Sequence, residues 1–212
     1  MALARKIWAA SRSIAGTPAE TYLRARKITV DLRDAPLRYH PALLYRDPNS
    51  PSRRLPALVA AVTDNGGEFN GIHRTFLDPS RNDKANVVSP RRSLGAILGN
   101  GVRFGAIDDF AIIGEGIETV LSLKSAFPDI PMVAALSAAH LAAWGFSCGM
   151  RRVVIAADND LAGRRAASKL AERGKVAGIE VETLLSRSKD FNNDLRAISL
   201  EKLAQRLQRA LV

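Results

Sequence analysis

Five charged residues in the second half of the sequence follow short apolar runs: Glu115, Asp158, Asp160, Lys189 and Asp190. Carboxylates that lie close together repel one another, and the repulsion raises their pKa values or destabilises the fold. A hard divalent cation removes this conflict, and Mg²⁺ takes oxygen ligands, usually one or two carboxylates with waters and substrate phosphates. The residue types therefore predict a magnesium site for phosphoryl chemistry, with Lys189 beside it to neutralise a phosphate.

Each of these motifs alone also has a purely structural explanation. Aspartate favours turns and helix N-caps, so Asp160 is equally expected to cap a helix that begins at Leu161. Glu115-Gly116 alone is a weaker signal than Asp158-x-Asp160. The combination is more specific, because the motifs follow three different apolar runs in chain order.

The apolar runs predict the strands of a parallel sheet. They alternate with segments of helical spacing, a pattern that is typical of βα units. The predicted strands are 110–114, 132–136, 152–157 and 181–185, and the predicted helices are 119–127, 137–144 and 161–173, with a last helix capped by Ser199. Ligands of such sheets gather at the carboxyl ends of the strands, which is where the acidic residues lie.

The first half of the sequence predicts a mixture of helices and antiparallel strands. The predicted elements are helices 3–14 and 18–26, hairpin strands 55–63 and 68–77, and weaker strands 82–88 and 102–104. The turn of the hairpin is marked by the sequence Asp-Asn-Gly-Gly at 64–67. Residues 31–56 contain five of the ten prolines and many charges, so they are predicted to form a loop with one short strand at 37–40.

The charge of the chain indicates a polyanionic partner. The 212 residues include 31 lysines and arginines against 21 acidic residues, a net charge of +10. Residues 1–108 carry +8 and residues 109–212 only +2, so the first half is the expected polyanion surface. A basic surface of this kind is typical of nucleic-acid binding, although an anionic membrane or an acidic protein would also fit.

The composition excludes several classes of protein. The single cysteine, Cys148, excludes an intramolecular disulfide framework and a zinc site built on several cysteines. The longest stretch without charge, 130–150, is interrupted by proline, glycine and polar residues, so no membrane span is predicted. The chain is predicted to be soluble and cytoplasmic; the alternative signal, a transit-like N-terminus over 1–19, also fits a plain amphipathic helix.

The three motifs together resemble the Toprim domain, which is shared by bacterial-type primases, type IA and type II topoisomerases and some nucleases. The motifs are Glu115-Gly116, Asp158-x-Asp160-x-x-Gly163 and Lys189-Asp190. The resemblance implies that Glu115 is a general acid/base or a metal ligand, and that Asp158, Asp160 and Asp190 bind Mg²⁺, or alternatively Mn²⁺. The segment from Lys189 resembles the last motif of primase-like Toprim proteins from phages, plasmids and other mobile elements.

The sequence departs from the family pattern at two positions. Asn193 intervenes before Asp194, where the usual motif continues directly with an acid, and either residue could take that part. Bacterial primase has an acid four residues after the glutamate, and here that position is Thr119. The resemblance then implies that one ligand is missing or is supplied by Glu118.

The first half favours the primase branch of the family. Residues 21–28 resemble the helix that follows the zinc finger in phage and plasmid primase-like proteins, and residues 69–78 with 84–85 resemble their small basic subdomain. The resemblance implies that Arg74, Lys84 and His73 contact nucleotide phosphates or the template. The alternative for all three is an ordinary exposed polar side chain, since alternation alone places polar residues on the outside of a strand.

The sequence therefore predicts an α/β protein: a Toprim-type parallel-stranded sheet flanked by helices over 109–212, preceded by a smaller basic α+β subdomain over 1–108. The resemblance implies Mg²⁺-dependent primer synthesis from nucleoside triphosphates on single-stranded DNA. The sequence contains neither a zinc-finger motif nor a Gly-x-x-x-x-Gly-Lys-[Ser/Thr] loop, so a helicase or a zinc-finger-bearing chain is an expected partner. Two alternatives stay open, a Mg²⁺-dependent nuclease and a non-catalytic nucleic-acid-binding accessory protein of a mobile element.

Overall fold

The computed structural model describes residues 1–47 and 50–211, and it divides the chain into two compact units. The first unit comprises Met1–Ala25, Asp31–Val62 and Phe69–Ile97. The second comprises Arg26–Val30, Thr63–Glu68 and the chain from Leu98 onward. Two short segments that lie early in the sequence thus belong to the second unit. The sequence-based division at residue 108 stays a prediction.

The first unit is built on an antiparallel sheet. Its strands are β1 (Arg12–Ser13), β2 (Leu37–Asp47), β3 (Ser50–Thr63), β4 (Phe69–Asp78), β5 (Asp83–Lys84) and β6 (Arg91–Gly95), and its helices are α1 (Ala2–Ala9) and α2 (Pro18–Ala25). The strand order is β1-β2-β3-β4-β5, and β6 pairs with β4. Ala4 and Ile7 of α1 are buried in one apolar cluster with Ile72 and Phe76 of β4, which fixes the helix on the sheet.

The prediction of a loop over 31–56 was wrong, because this segment forms most of the long hairpin of β2 and β3. Proline removes a backbone donor and is tolerated in strands at edges and bulges. Pro41 lies at such an irregularity, since the register of the β2–β3 pair shifts between His40 and Leu43.

The helix predicted over 3–14 was too long, because α1 ends at Ala9 and residues 12–13 pair with β2.

The second unit is a five-stranded sheet with helices. Its strands are β7 (Val102–Phe104), β8 (Phe110–Gly114), β9 (Met132–Ala134), β10 (Arg152–Ala157) and β11 (Glu180–Leu185), and its helices are α3 (Ile117–Ala126), α4 (Ala138–Ala143), α5 (Leu161–Val176), α6 (Phe191–Ala197) and α7 (Leu200–Leu211). The strand order is β11-β10-β8-β9-β7. Strands β8 to β11 pair in parallel, and β7 is antiparallel to β9. The predicted α/β fold with a parallel-stranded sheet is confirmed.

The core of the second unit is apolar on both sides of its central strands. Ile113 of β8, Ile155 of β10 and Leu170 of α5 are fully buried in one cluster. Strands buried on both faces have continuous apolar sequences, which is why they could be predicted from the sequence.

Within the described ranges, every helix is too short or too polar to cross a lipid bilayer.

Candidate active site

The strand order of the second unit brings the predicted acidic residues to one edge of the sheet. Strand β8 lies directly beside β10, with Gly114 in register with Ala156. Glu115 and Asp158 therefore leave adjacent parallel strands at their carboxyl ends. The backbone N–H of Asn159 donates to the carbonyl oxygen of Lys189 at 2.8 Å, which joins the segment after β10 to the segment after β11. Three strand ends thus contribute to one site.

Two glycines permit the close approach of backbone and helices at this edge. A Cβ atom on Gly114 would stand 2.8 Å from Val120 Cγ2, so a larger residue would push α3 away from the strand. A Cβ atom on Gly163 would stand 2.5 Å from the carbonyl oxygen of Asp158. The glycine of the Asp-x-Asp-x-x-Gly motif is therefore needed for the tight turn from β10 into α5.

Asp160 and Asp190 are N-caps of the helices that follow them. Asp160 Oδ1 accepts a hydrogen bond from the backbone N–H of Gly163 at 2.8 Å, and Asp190 Oδ1 accepts one from Asn193 at 2.7 Å. The capping role that the sequence offered as an alternative for Asp160 is thus confirmed. In both carboxylates Oδ2 accepts no hydrogen bond from the residues described here, so capping leaves one oxygen of each available to a cation.

Asp158 is the electrostatic centre of the group. Burial, the largest cause, and the negative charges of Glu115, Asp190 and Asp160 together raise the pKa of its carboxyl to about 7. A hydrogen bond from Thr119 Oγ1 to Asp158 Oδ1, 3.1 Å long, opposes this shift. Three carboxylates from neighbouring strand ends are therefore close enough to disfavour the ionisation of Asp158, which is the conflict that a divalent cation removes.

The carboxylates suit a magnesium ion by chemistry, although they do not form a closed cage. No three His, Cys, Asp or Glu side chains converge on one point in the ranges 1–47 and 50–211. Mg²⁺ needs only one or two protein carboxylates, because waters and substrate phosphates complete its octahedron. The second oxygens of Asp158, Asp160 and Asp190 supply donors of this kind. The metal-binding roles of Glu115, Asp158, Asp160 and Asp190 stay a prediction.

The raised pKa of Asp158 predicts a pH-dependent cost in stability. The ordinary pKa of an aspartate is 3.8 and that of Asp158 in the folded protein is about 7. The free energy of unfolding therefore falls progressively as the pH rises between these two values. With a chelator present, Asp158→Asn should stabilise the protein at pH 8 by about 2 kcal/mol, after discounting for partial solvent access, and by almost nothing near pH 4. Chemical denaturation across this range measures the effect, and equal stability of both proteins at pH 8 would contradict it.

Thr119 holds Asp158 in place and is expected to support metal affinity. Thr119 is only 3% exposed, and its hydroxyl is the group that donates to Asp158. Thr119→Val removes the donor at nearly constant volume, and loss of an orienting hydrogen bond typically lowers metal affinity by about tenfold. Thr119→Ser keeps the hydroxyl and should bind Mn²⁺ like the original protein in an electron paramagnetic resonance titration. Equal Mn²⁺ affinity of the valine variant would show that the contact is unimportant.

The other predicted residues of this edge differ in accessibility. Glu115 is half-buried and Lys189 is exposed, so the lysine side chain is accessible to a phosphate. Glu118 is buried at 8% exposure, and its Oε2 lies 3.6 Å from the position of a Cβ atom on Gly116, at the start of its own helix. The catalytic roles of Glu115 and Lys189, and a ligand role for Glu118, stay predictions.

Asp194 is a structural residue in this chain. It is 2% exposed, and its carboxylate accepts hydrogen bonds from the backbone N–H groups of Arg187 and Ser188 at 2.9 and 2.7 Å. Its third partner is the guanidinium group of Arg206 of α7, at 2.5 Å. Burial raises the pKa of Asp194, but these hydrogen bonds outweigh burial and hold it below its usual value. Asp194 therefore fixes the segment that carries Lys189 and Asp190.

Asn192 is a second residue whose part the sequence did not specify. It is 1% exposed, and its amide nitrogen donates to the backbone oxygen of Arg26 and to Ser122 Oγ, both at 2.9 Å. Its amide oxygen accepts from Arg26 Nη1 at 3.3 Å. The asparagine thus links α6 to α3 and to the segment 26–30. A buried amide with several partners has no signal in a single sequence beyond its place in the motif.

The predicted nucleic-acid-binding residues all lie in the first unit. His73 is 6% exposed, with Nδ1 2.9 Å from Ser93 Oγ, so it is not the outward-facing side chain offered as its alternative. Arg74 is half-buried, and its guanidinium donates to the backbone oxygens of Arg92 and Ser93 at 3.4 and 3.1 Å. Lys84 is half-buried on β5. Their contacts with nucleic acid or nucleotide stay predictions.

Sequence comparison finds two families on the chain. Residues 110–201 match the Toprim domain, and residues 1–104 match a domain of unknown function (DUF7146). No curated protein matches the sequence significantly.

Solved structures of similar fold are primase domains. The zinc-binding and RNA polymerase domains of Aquifex aeolicus primase have a TM-score of 0.62 at 20% identity, over 93% of this chain and 57% of that chain. A DNA primase domain from Pseudomonas aeruginosa has a TM-score of 0.63 at 17% identity, over 98% and 77%. The RNA polymerase domain of Mycobacterium tuberculosis primase, in complex with a double-stranded DNA oligomer with an overhang, has a TM-score of 0.58 at 18% identity, over 98% and 77%. The chain spans little more than half of the Aquifex chain, and at these identities the likeness establishes the fold alone.

Proposed function

We propose that this chain, which belongs to the Toprim family over residues 110–201 and has the fold of primase catalytic domains, is a primase-like nucleotidyltransferase. It would join nucleoside triphosphates on single-stranded DNA with the help of Mg²⁺ or Mn²⁺. The observation that carries this proposal is the shared electrostatics of Asp158, Glu115, Asp190 and Asp160 at the strand ends. Without this group of carboxylates, the family assignment would support a nucleic-acid-binding protein as well as it supports an enzyme.

The acidic residues would hold the metal through oxygens that the fold leaves open. These are the second carboxylate oxygens of Asp158, Asp160 and Asp190. Glu115 on the neighbouring strand is proposed as a further ligand. A bound divalent ion would supply positive charge for the triphosphate and lower the pKa of the attacking hydroxyl. Asp160 and Asp190 keep their capping bonds at the same time, so the two helix N-termini fix the positions of these ligands.

The reaction itself would be an in-line displacement at phosphorus. Glu115 accepts the proton of the 3′-hydroxyl, the hydroxyl oxygen forms a bond to the α-phosphorus, and the bond to the β-phosphate oxygen breaks. Pyrophosphate leaves with the bonding electron pair, and Lys189 neutralises its developing charge. Glu115 and Lys189 both lie on segments that follow strands of the parallel sheet, and the sheet fixes the positions of these segments. Correct orientation of the reacting groups would therefore contribute to the rate enhancement.

The basic first unit would hold the template strand. Arg74 and Lys84 are proposed to contact phosphates, and His73 would act from its buried position through Ser93 rather than by direct contact. Phosphate contacts release counterions, so binding should weaken steeply with salt. A helicase or a zinc-finger-bearing chain would select the start site, and a cytoplasmic protein of a mobile element fits this division of labour.

Analysis of reaction products on one gel tests the proposal. The protein is incubated with labelled single-stranded DNA, ribonucleotides and deoxynucleotides, and Mg²⁺ or Mn²⁺. Longer or newly made products establish nucleotidyl transfer. Shortened DNA would establish the nuclease instead, because the same carboxylates can activate water. Absence of any product with retained DNA binding would contradict catalysis by this chain alone.

The non-catalytic alternative has one specific observation in its favour. Thr119 stands where bacterial primase has an acid, and in this structure its hydroxyl donates to Asp158. The site therefore has fewer carboxylates than the bacterial pattern, which would suit a residual or regulatory metal site. An accessory protein of this kind would keep both its binding to single-stranded DNA and its function after Glu115→Gln, whereas a nucleotidyltransferase would keep binding and lose product formation.

A further inference from the structure

The first unit contains a cleft of about 470 Å³ that is lined by four arginines, Arg46, Arg54, Arg74 and Arg92. They come from four different strands, β2, β3, β4 and β6. The remaining walls are mainly apolar and are formed by residues of α1 and β2 and by Phe76 of β4, and they include the exposed side chains of Leu3 and Leu44. None of the residues that line the cleft is acidic.

Three of the four guanidinium groups, those of Arg54, Arg74 and Arg92, donate hydrogen bonds, and the acceptors of these bonds are all neutral oxygen atoms. Arg92 donates to the backbone oxygen of Arg46 at 2.6 Å and to the Tyr45 hydroxyl at 3.0 Å. Arg54 donates to the backbone oxygen of Ala42 at 3.2 Å, and Arg74 donates to backbone oxygens of β6. Across residues 1–47 and 50–211, none of the four arginines forms an ion pair with a carboxylate.

The fold therefore keeps several cations together at an electrostatic cost. Burial lowers the pKa of Arg74, and the charge of Arg92 lowers it further. Burial and the nearby Arg54 also lower the pKa of His40, which lines the same cleft. Like charges that are partly removed from water destabilise a fold unless a counter-charge joins them. An anion in the cleft would remove this cost, just as a cation would at the acidic strand ends.

Guanidinium groups favour phosphate among biological anions. Their planar arrangement of donors matches phosphate oxygens in a bidentate geometry, and they stay charged at any physiological pH. The neutral oxygens that orient Arg74 and Arg92 restrict their rotation, so less side-chain entropy is lost on binding. The arginines of the hairpin, Arg46 and Arg54, are exposed and extend the cationic surface beyond the central pair.

We propose that this arginine cleft binds the phosphate backbone of single-stranded nucleic acid, with Arg74 and Arg92 at its centre and Arg46 and Arg54 on the β2–β3 hairpin. The inference rests on the proposed function, because it names the surface that would hold the template. A nucleic-acid strand fits the cleft better than a single anion, because the four positive charges come from four different β-strands of the sheet. The apolar walls offer Leu3 and Leu44 to the sugars and bases.

Paired arginine variants and salt dependence test the cleft. Binding of a short fluorescein-labelled oligothymidylate is followed by fluorescence anisotropy, with the double variant Arg46→Ala/Arg54→Ala beside the original protein. Both side chains are exposed, so the variant should fold normally. Its affinity should fall by about tenfold or more, and the slope of log K against log salt should become shallower by about 1.4, the value for two lost single-strand phosphate contacts. Arg74→Ala/Arg92→Ala should bind more weakly still.

The matched control removes the same charge from the same unit outside the cleft. Arg81 and Arg91 are exposed and do not line it, so Arg81→Ala/Arg91→Ala should bind within about threefold of the original protein. Equal losses in the control and cleft variants would overturn the cleft while leaving DNA binding and the proposed function intact. If the cleft bound tripolyphosphate but not the oligonucleotide, the proposal that its ligand is a nucleic-acid strand would be overturned. Failure of the original protein to bind any oligonucleotide would overturn the cleft and the template role together.

Discussion

Glu115→Gln is expected to lower Mg²⁺-dependent product formation by at least about 100-fold, the usual contribution of a positioned general acid or base. The amide cannot accept the proton of the attacking hydroxyl. The substitution also removes the charge with the largest raising effect on the pKa of Asp158, so that pKa should fall in the variant. The initial rate of nucleotide incorporation on single-stranded DNA measures the first effect, and carboxyl chemical shifts measure the second.

The control for this variant is Glu172→Gln, an exposed glutamate on α5 that takes no part in the site. It should incorporate nucleotides like the original protein. The affinity of Glu115→Gln for single-stranded DNA should also be unchanged within about twofold, because the predicted phosphate contacts lie in the first unit. Full activity of the Glu115 variant would remove this residue from the mechanism.

Asp194→Asn is expected to destabilise the protein by about 3 kcal/mol, because removal of one partner leaves the other charge of a buried ion pair uncompensated. Arg206 is 17% exposed and Asp194 only 2%, so water replaces little of the lost interaction. The pKa of Asp194 is lowered in the fold, so its contribution is complete above the unfolded value near 4 and is lost as the pH falls through the folded value. Denaturant unfolding at pH 7 measures the difference.

Asn193→Ala is the matched control for Asp194. The side chain of Asn193 makes no hydrogen bond with the described residues, and only its backbone N–H serves the cap of Asp190. The alanine variant should therefore unfold within about 1 kcal/mol of the original protein. A larger effect at Asn193 than at Asp194 would mean that the two residues have been assigned the wrong parts.

The second unit was predictable because its strands are buried on both faces. A continuous apolar run such as 153–157 is expected in the interior of a protein, and the parallel order of the strands then places Glu115 and Asp158 at one edge of the sheet. The capping role of Asp160 was also predictable from the sequence, where it stood as the structural alternative to metal binding. The sequence could not show that Thr119 would donate to Asp158, since that contact depends on how closely Gly114 lets α3 approach.

The first unit was harder to predict, because its strands lie in a segment with many prolines and charges. Alternation in β2 is interrupted at Pro41, where the register of the pair shifts, so the pattern of period two breaks in the middle of the strand. Arg46 and Arg54 then looked like solvated charges of a loop. Only the pairing of β2 with β3 and of β4 with β6 brings them to one cleft with Arg74 and Arg92.

Titration with Mn²⁺, followed by electron paramagnetic resonance, tests most directly the central claim that the strand-end carboxylates form a divalent metal site. It needs no template, nucleotide or partner chain, so an inactive preparation does not confuse the result. The original protein should bind Mn²⁺ in competition with Mg²⁺, and Asp158→Asn/Asp160→Asn should lose at least about tenfold in affinity. Equal Mn²⁺ binding by both proteins, or binding by neither, would contradict the account.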